Sequence, residues 1–156
     1  MKRSIECFLI LIILCFVVDA KDLQKFKIIA TTNVAGETEP CGWKKKPLGG
    51  LARKATIINE SIRSGDPHFI LDAGDLLFKK NKISPGISVD LAKVNAETII
   101  EAFNIIGCDG FNVGENDLAL GLDYLINLKN NSTFPYLSAN IKNKNGAFLF
   151  KPYNII

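Results

Sequence analysis

The chain has 156 residues, 47% hydrophobic and 22% charged, the balance of a globular protein with a core rather than a disordered segment. Its formal charge is only +3. That excess is too mild to argue for a nucleic-acid partner.

Lys2 and Arg3 precede an apolar run from Phe8 to Val18, and Val18-Asp19-Ala20 then offers small or modest side chains. This order reads as a secretory signal peptide over residues 1–20, with cleavage after Ala20. A membrane anchor fits less well, because a spanning helix needs roughly twenty apolar residues. A lipoprotein reading through Cys15 is weaker still, since Leu14 stands where a small residue is wanted. The expectation is an exported protein, periplasmic or extracellular, with no membrane association after cleavage. Cys7 and Cys15 leave with the signal, and Cys41 and Cys108 remain in an oxidising space. They either pair or serve separately as small buried apolar residues.

In the mature part, residues 21–156, the run Phe26 to Thr32 is short, apolar and β-branched, and predicts a buried strand ending at a polar turn. Leu48 to Ser64 spaces Leu51, Ala55, Ile58 and Ile62 on one helix face, and Gly65 stops it. His68 to Leu71 predicts the next strand. Val89 to Ile106 predicts a longer helix, with Leu91, Val94, Ile99, Ala102, Phe103 and Ile106 apolar and Gly107 at its end. Phe111 to Val113 reads as a strand, Leu118 to Leu128 as a helix, and Tyr136 to Ile141 and Ala147 to Tyr153 as strands joined by the turn Asn143 to Gly146. Alternation of strands and helices predicts one α/β domain, a layered sheet with helices on its outer faces. The chain stops on Ile155-Ile156, in or just after strand-like sequence, so the sheet is expected to be incomplete.

Three polar clusters follow three successive predicted strands: Asn33-Val34-Ala35-Gly36, Asp72-Ala73-Gly74-Asp75 and Gly114-Glu115-Asn116-Asp117. Each alone is ordinary turn chemistry. Recurring at the same strand ends, they would line one crevice, where ligands of α/β sheets bind.

The ordered segments TTNVAGETEPCG, PLGGLARKATII, FILDAGDLLF, FNVGENDLALGLDYL and YLSANI are similar to the 5′-nucleotidase branch of the calcineurin-like metallophosphoesterases. The resemblance covers nearly the whole mature chain. It implies the N-terminal portion of a metallophosphoesterase domain, in which two divalent ions polarise a phosphate and generate a hydroxide. It also implies a phosphorylated small molecule as partner. At the matching positions, Asn33 stands for the first metal-binding Asp and Ala35 for the first His, while Asp75 matches the bridging carboxylate. Glu115 and Asn116 stand for the Asn ligand and the catalytic His, or Asn116 takes the Asn role in a shifted register; Asp117 fits the acidic position that follows. The later His ligands of the family belong to a segment beyond YLSANI.

The resemblance therefore implies a degenerate centre with no complete catalytic set. Asp75, Glu115, Asn33 and Asn116 would form a loose oxygen site that binds one divalent ion weakly, Mn²⁺, Mg²⁺, Ca²⁺ or Zn²⁺. The expectation is a weakened or inactive phosphoester hydrolase, with a non-catalytic binding module, or a piece of a longer hydrolase, as the alternatives. His68 lies at the far end of its strand and reads as an ordinary strand-start residue. Lys44, Lys45 and Lys46 beside Trp43 read as a soluble loop rather than an anion site. The glycosylation patterns at Asn59 and Asn131 carry no argument.

Overall fold

A computed structural model describes residues 25–42, 48–83 and 88–155. The expected signal peptide and the Trp43 to Lys46 run lie outside them. Four parallel strands form one sheet in the order β1-β2-β3-β4: β1 (Lys27–Thr31), β2 (His68–Asp72), β3 (Gly110–Asn112) and β4 (Tyr136–Leu137). The helices α1 (Leu51–Ile62), α2 (Val89–Ile106) and α3 (Leu122–Lys129) supply the crossovers that parallel strands require.

Helix α2 has both of its ends written into the sequence. Ser88 caps it by accepting from the Leu91 amide, Asp90 sits in the positive first turn, and Gly107 closes it at φ 88°. Ala92, Ala96, Ile99, Phe103 and Ile106 recur at three- and four-residue steps and are buried. The inward stripe differs from the expected one at its start: Leu91 and Val94 are both 56% exposed, and the small Ala92 and Ala96 let α2 approach the sheet instead.

The core lies between this helix layer and one sheet face. Ile29, Ile70, Phe111 and Tyr136 share that face by register, and the Phe111 and Tyr136 rings meet edge to face at 4.8 Å. Each large side chain so buried contributes ~1.5–3 kcal/mol. On the opposite face Ile28 is 60% exposed, next to half-buried Phe69 and Leu71. β1 is an edge strand of the sheet among the described residues.

Three expectations need correction. The helix expected over Leu118 to Leu128 is a 3-10 turn (Asn116–Leu118) followed by α3, because Gly121 at φ 88° breaks the helical backbone between them. The strand expected over Tyr136 to Ile141 ends at Leu137, where the Ser138 hydroxyl accepts from the Ile141 amide and turns the chain. Ala147 to Tyr153 makes only isolated bridges, Lys142 with Phe148 and Leu137 with Lys151; its apolar Phe150 is buried in the core from a loop. Asn143 to Gly146 does form a turn, closed by the Gly146 amide donating to the Asn143 carbonyl at 2.9 Å.

Candidate functional site

The loops after β1, β2 and β3 emerge side by side at the carboxyl edge of the sheet, and main-chain hydrogen bonds knit them together. The Asn33 amide donates to the Gly74 carbonyl at 3.0 Å, that of Ala35 to Asp75 at 2.9 Å and that of Gly36 to Leu76 at 3.1 Å. In return the Ala73 amide donates to the Thr31 carbonyl at 2.8 Å. This interlock forces an unusual backbone. Asn33 (φ 52°), Ala35 (φ 56°) and Asp75 (φ 54°) are the only non-glycine residues with positive φ among those described, and all three sit here. The left-handed region costs an alanine or aspartate on the order of 1 kcal/mol or more, while asparagine tolerates it better.

Glycine is required at two points of the same knot. A Cβ on Gly74 would lie 2.9 Å from the Asn112 carbonyl oxygen, and one on Gly114 would collide with the Asp75 carboxylate and amide.

The strongest polar element is Asp117, only 1% exposed. Its Oδ2 accepts from the amides of Asp75 at 3.0 Å and Gly114 at 2.8 Å, and its Oδ1 from the amide of Leu77 at 2.8 Å. One carboxylate thus ties the second loop to the third. Burial pushes its pKa up to about 6; the three amide donors pull it down, and the neighbouring Asp75 charge adds to the rise. Asp72 has a similar role at the end of β2, accepting from the Thr31 hydroxyl and from the Gly74 amide at 2.9 Å. Its pKa is raised by burial, against those hydrogen bonds and the charge of Lys54.

Of the residues singled out from sequence, Asp75 and Asn116 are in direct contact: Asp75 Oδ1 accepts from the Asn116 amide at 2.9 Å. Asn33 is joined to the same knot through Gly74. Glu115 is exposed, and its Oε1 accepts from the Asn81 side-chain amide at 2.6 Å. His68 stands at the opposite end of β2 with Nδ1 3.1 Å from the Asp66 carbonyl oxygen. Cys41 is exposed, Cys108 is buried, and neither forms a disulfide. Sequence reasoning placed Asp117 in the cluster without its structural role. Only the amides converging on it from two separate loops reveal that role.

The donor set does not fit a two-metal centre. Among the described residues no three His, Cys, Asp or Glu side chains gather as metal ligands would. All three central carboxylates already accept main-chain amides, Asp117 from three and Asp72 and Asp75 from one each. No imidazole is near, and an amide at Asn33 with a methyl at Ala35 replaces a charged pair.

No family model matches the chain. It is 29% identical over 117 residues to the 2′,3′-cyclic-nucleotide 2′-phosphodiesterase/3′-nucleotidase of Yersinia enterocolitica, which covers 73% of this chain and 18% of that protein. Against the 5′-nucleotidase of Bos taurus it is 29% identical over 127 residues, 77% of this chain and 21% of the relative. The chain thus spans about a fifth of the length of these curated relatives. Among solved structures, the calcineurin-like phosphoesterase YfkN of Bacillus subtilis aligns with 83% of this chain and 41% of its own, at a TM-score of 0.65 and 26% identity. The 5′-nucleotidase precursor of Thermus thermophilus, at 19% identity and a TM-score of 0.67, aligns with 83% of this chain and 25% of its own and shares the fold. The relatives and structural neighbours that match most of this chain are thus 5′-nucleotidases and calcineurin-like phosphoesterases, consistent with a partial, divergent domain of the 5′-nucleotidase branch.

Proposed function

We propose that this chain is an exported domain of 5′-nucleotidase type that recognises a phosphorylated small molecule and has lost most or all phosphoester hydrolysis. One observation carries the reading: the loops after the strands interlock through main-chain hydrogen bonds, while the positions that match metal ligands hold Asn33, Ala35, Glu115 and Asn116 beside Asp75. The carboxylate of Asp117 is consumed by three amides, and that of Asp75 accepts from Asn116. Hydrolysis in a two-metal enzyme needs tightly held ions to lower the pKa of bound water. Asp75, Glu115 and the side-chain amides of Asn33 and Asn116 would together hold at most one hard divalent cation, and weakly, since neutral amides and a surface carboxylate make a poor cage. Export rests on the charged, apolar and small-residue order of residues 1–20. Among the described residues no helix is long and apolar enough to cross a membrane.

The test is an assay of the purified mature protein with Mn²⁺, Mg²⁺, Ca²⁺ or Zn²⁺ against a nucleoside monophosphate and an aryl phosphate, beside Asp75→Ala. Turnover indistinguishable between the two proteins is expected. Robust metal-dependent turnover that vanishes in Asp75→Ala would replace this reading with that of a working hydrolase. Mass analysis of the exported product should show a chain beginning at Lys21, and a retained Met1 to Ala20 would remove the export claim.

A further inference from the structure

Helix α2 carries apolar side chains on two faces. One face packs on the sheet through Ala92, Ala96, Ile99, Phe103 and Ile106. On the other, Leu91 and Val94 are each 56% exposed and Ile105 is 81% exposed. With Thr98 these residues fall within about 60° of arc at ~100° per residue, so they form one row along the helix. Thr98 adds only its methyl group to the row, because its hydroxyl donates to the Val94 carbonyl at 2.8 Å. Scattered exposed apolar residues are ordinary on a protein surface. A row at three- and four-residue steps is instead the seam along which one helix receives another.

We propose that the outer face of α2 docks a cationic amphipathic helix of another polypeptide, its apolar seam against Leu91, Val94, Thr98 and Ile105 and its lysines or arginines against Asp90, Glu97 and Glu101. This surface lies on the side of α2 turned away from the sheet, and it is independent of the function proposed above. The mode is helix-on-helix recognition, with anchors at i, i+3 and i+7.

Charge selects the occupant. Asp90, Glu97 and Glu101 are exposed and lie within about 40° of one another, directly beside the apolar row. The sole base of α2 is turned elsewhere: Lys93 is half-buried, with its ammonium 6.0 Å from the centroid of the Tyr124 ring. The acidic border is therefore not neutralised from within the helix. A cationic helix pairs those carboxylates, whereas an anionic one is repelled. A second copy of α2 fits worse for the same reason. Antiparallel pairing about a twofold would set acid against acid, and parallel pairing would leave every carboxylate without a counter-charge. The surface is also rigid before docking. Ser88 and Gly107 cap a helix of 18 residues, about 27 Å long, so little ordering cost falls on this side of the contact.

The experiment uses the full mature chain and three fluorescein-labelled peptides, each about five helical turns long, read by fluorescence anisotropy. The first has leucines in one heptad seam flanked by lysines; the second has glutamates in place of the lysines; the third has the composition of the first in scrambled order. Saturable one-to-one binding of the lysine peptide is expected, with the other two weaker by about tenfold or more. Val94→Ser and Ile105→Ser should each weaken the lysine peptide by about tenfold. Glu97→Lys combined with Glu101→Lys should reverse the preference, so that the glutamate peptide binds better. All four positions are exposed, and melting curves check that the fold is unchanged. Equal binding of the scrambled peptide, or indifference to both sets of substitutions, would overturn the proposal. So would a dimer of the chain alone in sedimentation velocity that Val94→Ser dissolves, since the face would then be covered by a second copy.

Discussion

At the scale of single residues, a few buried polar atoms hold the site together, and their partners decide the sign of each substitution. Asp117→Ala would strand three amides, that of Leu77 buried and those of Asp75 and Gly114 partly so, each costing up to ~1–3 kcal/mol when left unpaired. Such a loss rivals the stability of a whole small domain, so little folded protein is expected, and the urea midpoint of any soluble product should be far below that of the parent. Tyr136 behaves in the opposite way. Its hydroxyl is buried without a hydrogen-bond partner. Tyr136→Phe removes an unsatisfied polar atom and keeps the ring in its aromatic cluster. The unfolding free energy from urea titration should stay level or rise by ~1 kcal/mol, whereas a drop of that size would mean the hydroxyl has a partner in solution. That Asp75 and Asn116 share one cluster was readable because turn residues repeated at successive strand ends. The tie made by Asp117 was not, since two of its amides belong to residues forty or more positions away in sequence.

At the scale of elements, legibility followed the caps. The bounds of α2 were readable, with Gly107 marking its end, and the structure adds Ser88 as the cap that opens it. Gly107→Ala would place a Cβ at φ 88°, and since nothing crowds that position the cost is conformational alone, about 1 kcal/mol. Thermal melting should show a drop of a few degrees with an unchanged far-ultraviolet spectrum. α3 was misread for the complementary reason: its apolar period continues through Gly121, and only the backbone shows that the glycine is left-handed. The stretch after Leu137 was misread because Ile141 and Phe150 supply apolar side chains to the core from loops, which a period-two reading takes for a strand.

At the scale of the whole molecule, burial of titratable groups sets how the fold responds to alkali. Burial lifts the Cys108 thiol from 9.0 to about 11, and pushes the Tyr136 phenol up as well. Both groups are neutral when protonated, so the folded state favours the protonated form. Their contribution is complete below the unfolded values and is lost as pH rises through the folded ones. For Cys108 the window runs from about pH 9 to 11, with at most ~3 kcal/mol at stake at ~1.4 kcal/mol per pH unit. Urea midpoints should therefore fall across that window, less steeply in Cys108→Ala. The same burial separates the two thiols kinetically: at pH 8 alkylation should label exposed Cys41 and spare Cys108 until urea is added, as peptide mass mapping would show.

The open side of β1 has a practical consequence for anyone handling this chain. Among the described residues no strand pairs with that margin, and past Lys27 at the start of β1 the stretch from Ile28 to Gly36 contains no charged residue to discourage another strand from hydrogen-bonding along it. With Phe26 and Ile28 each 60% exposed beside it, a concentrated sample has both the hydrogen-bonding template and the apolar adhesive for sheet-to-sheet growth. Precipitation should begin here rather than at the helical surface. Ile28→Lys, which puts a charge on the uncovered face while leaving the β1 to β2 pairing intact, should keep the protein in solution at concentrations where the parent turns cloudy by light scattering.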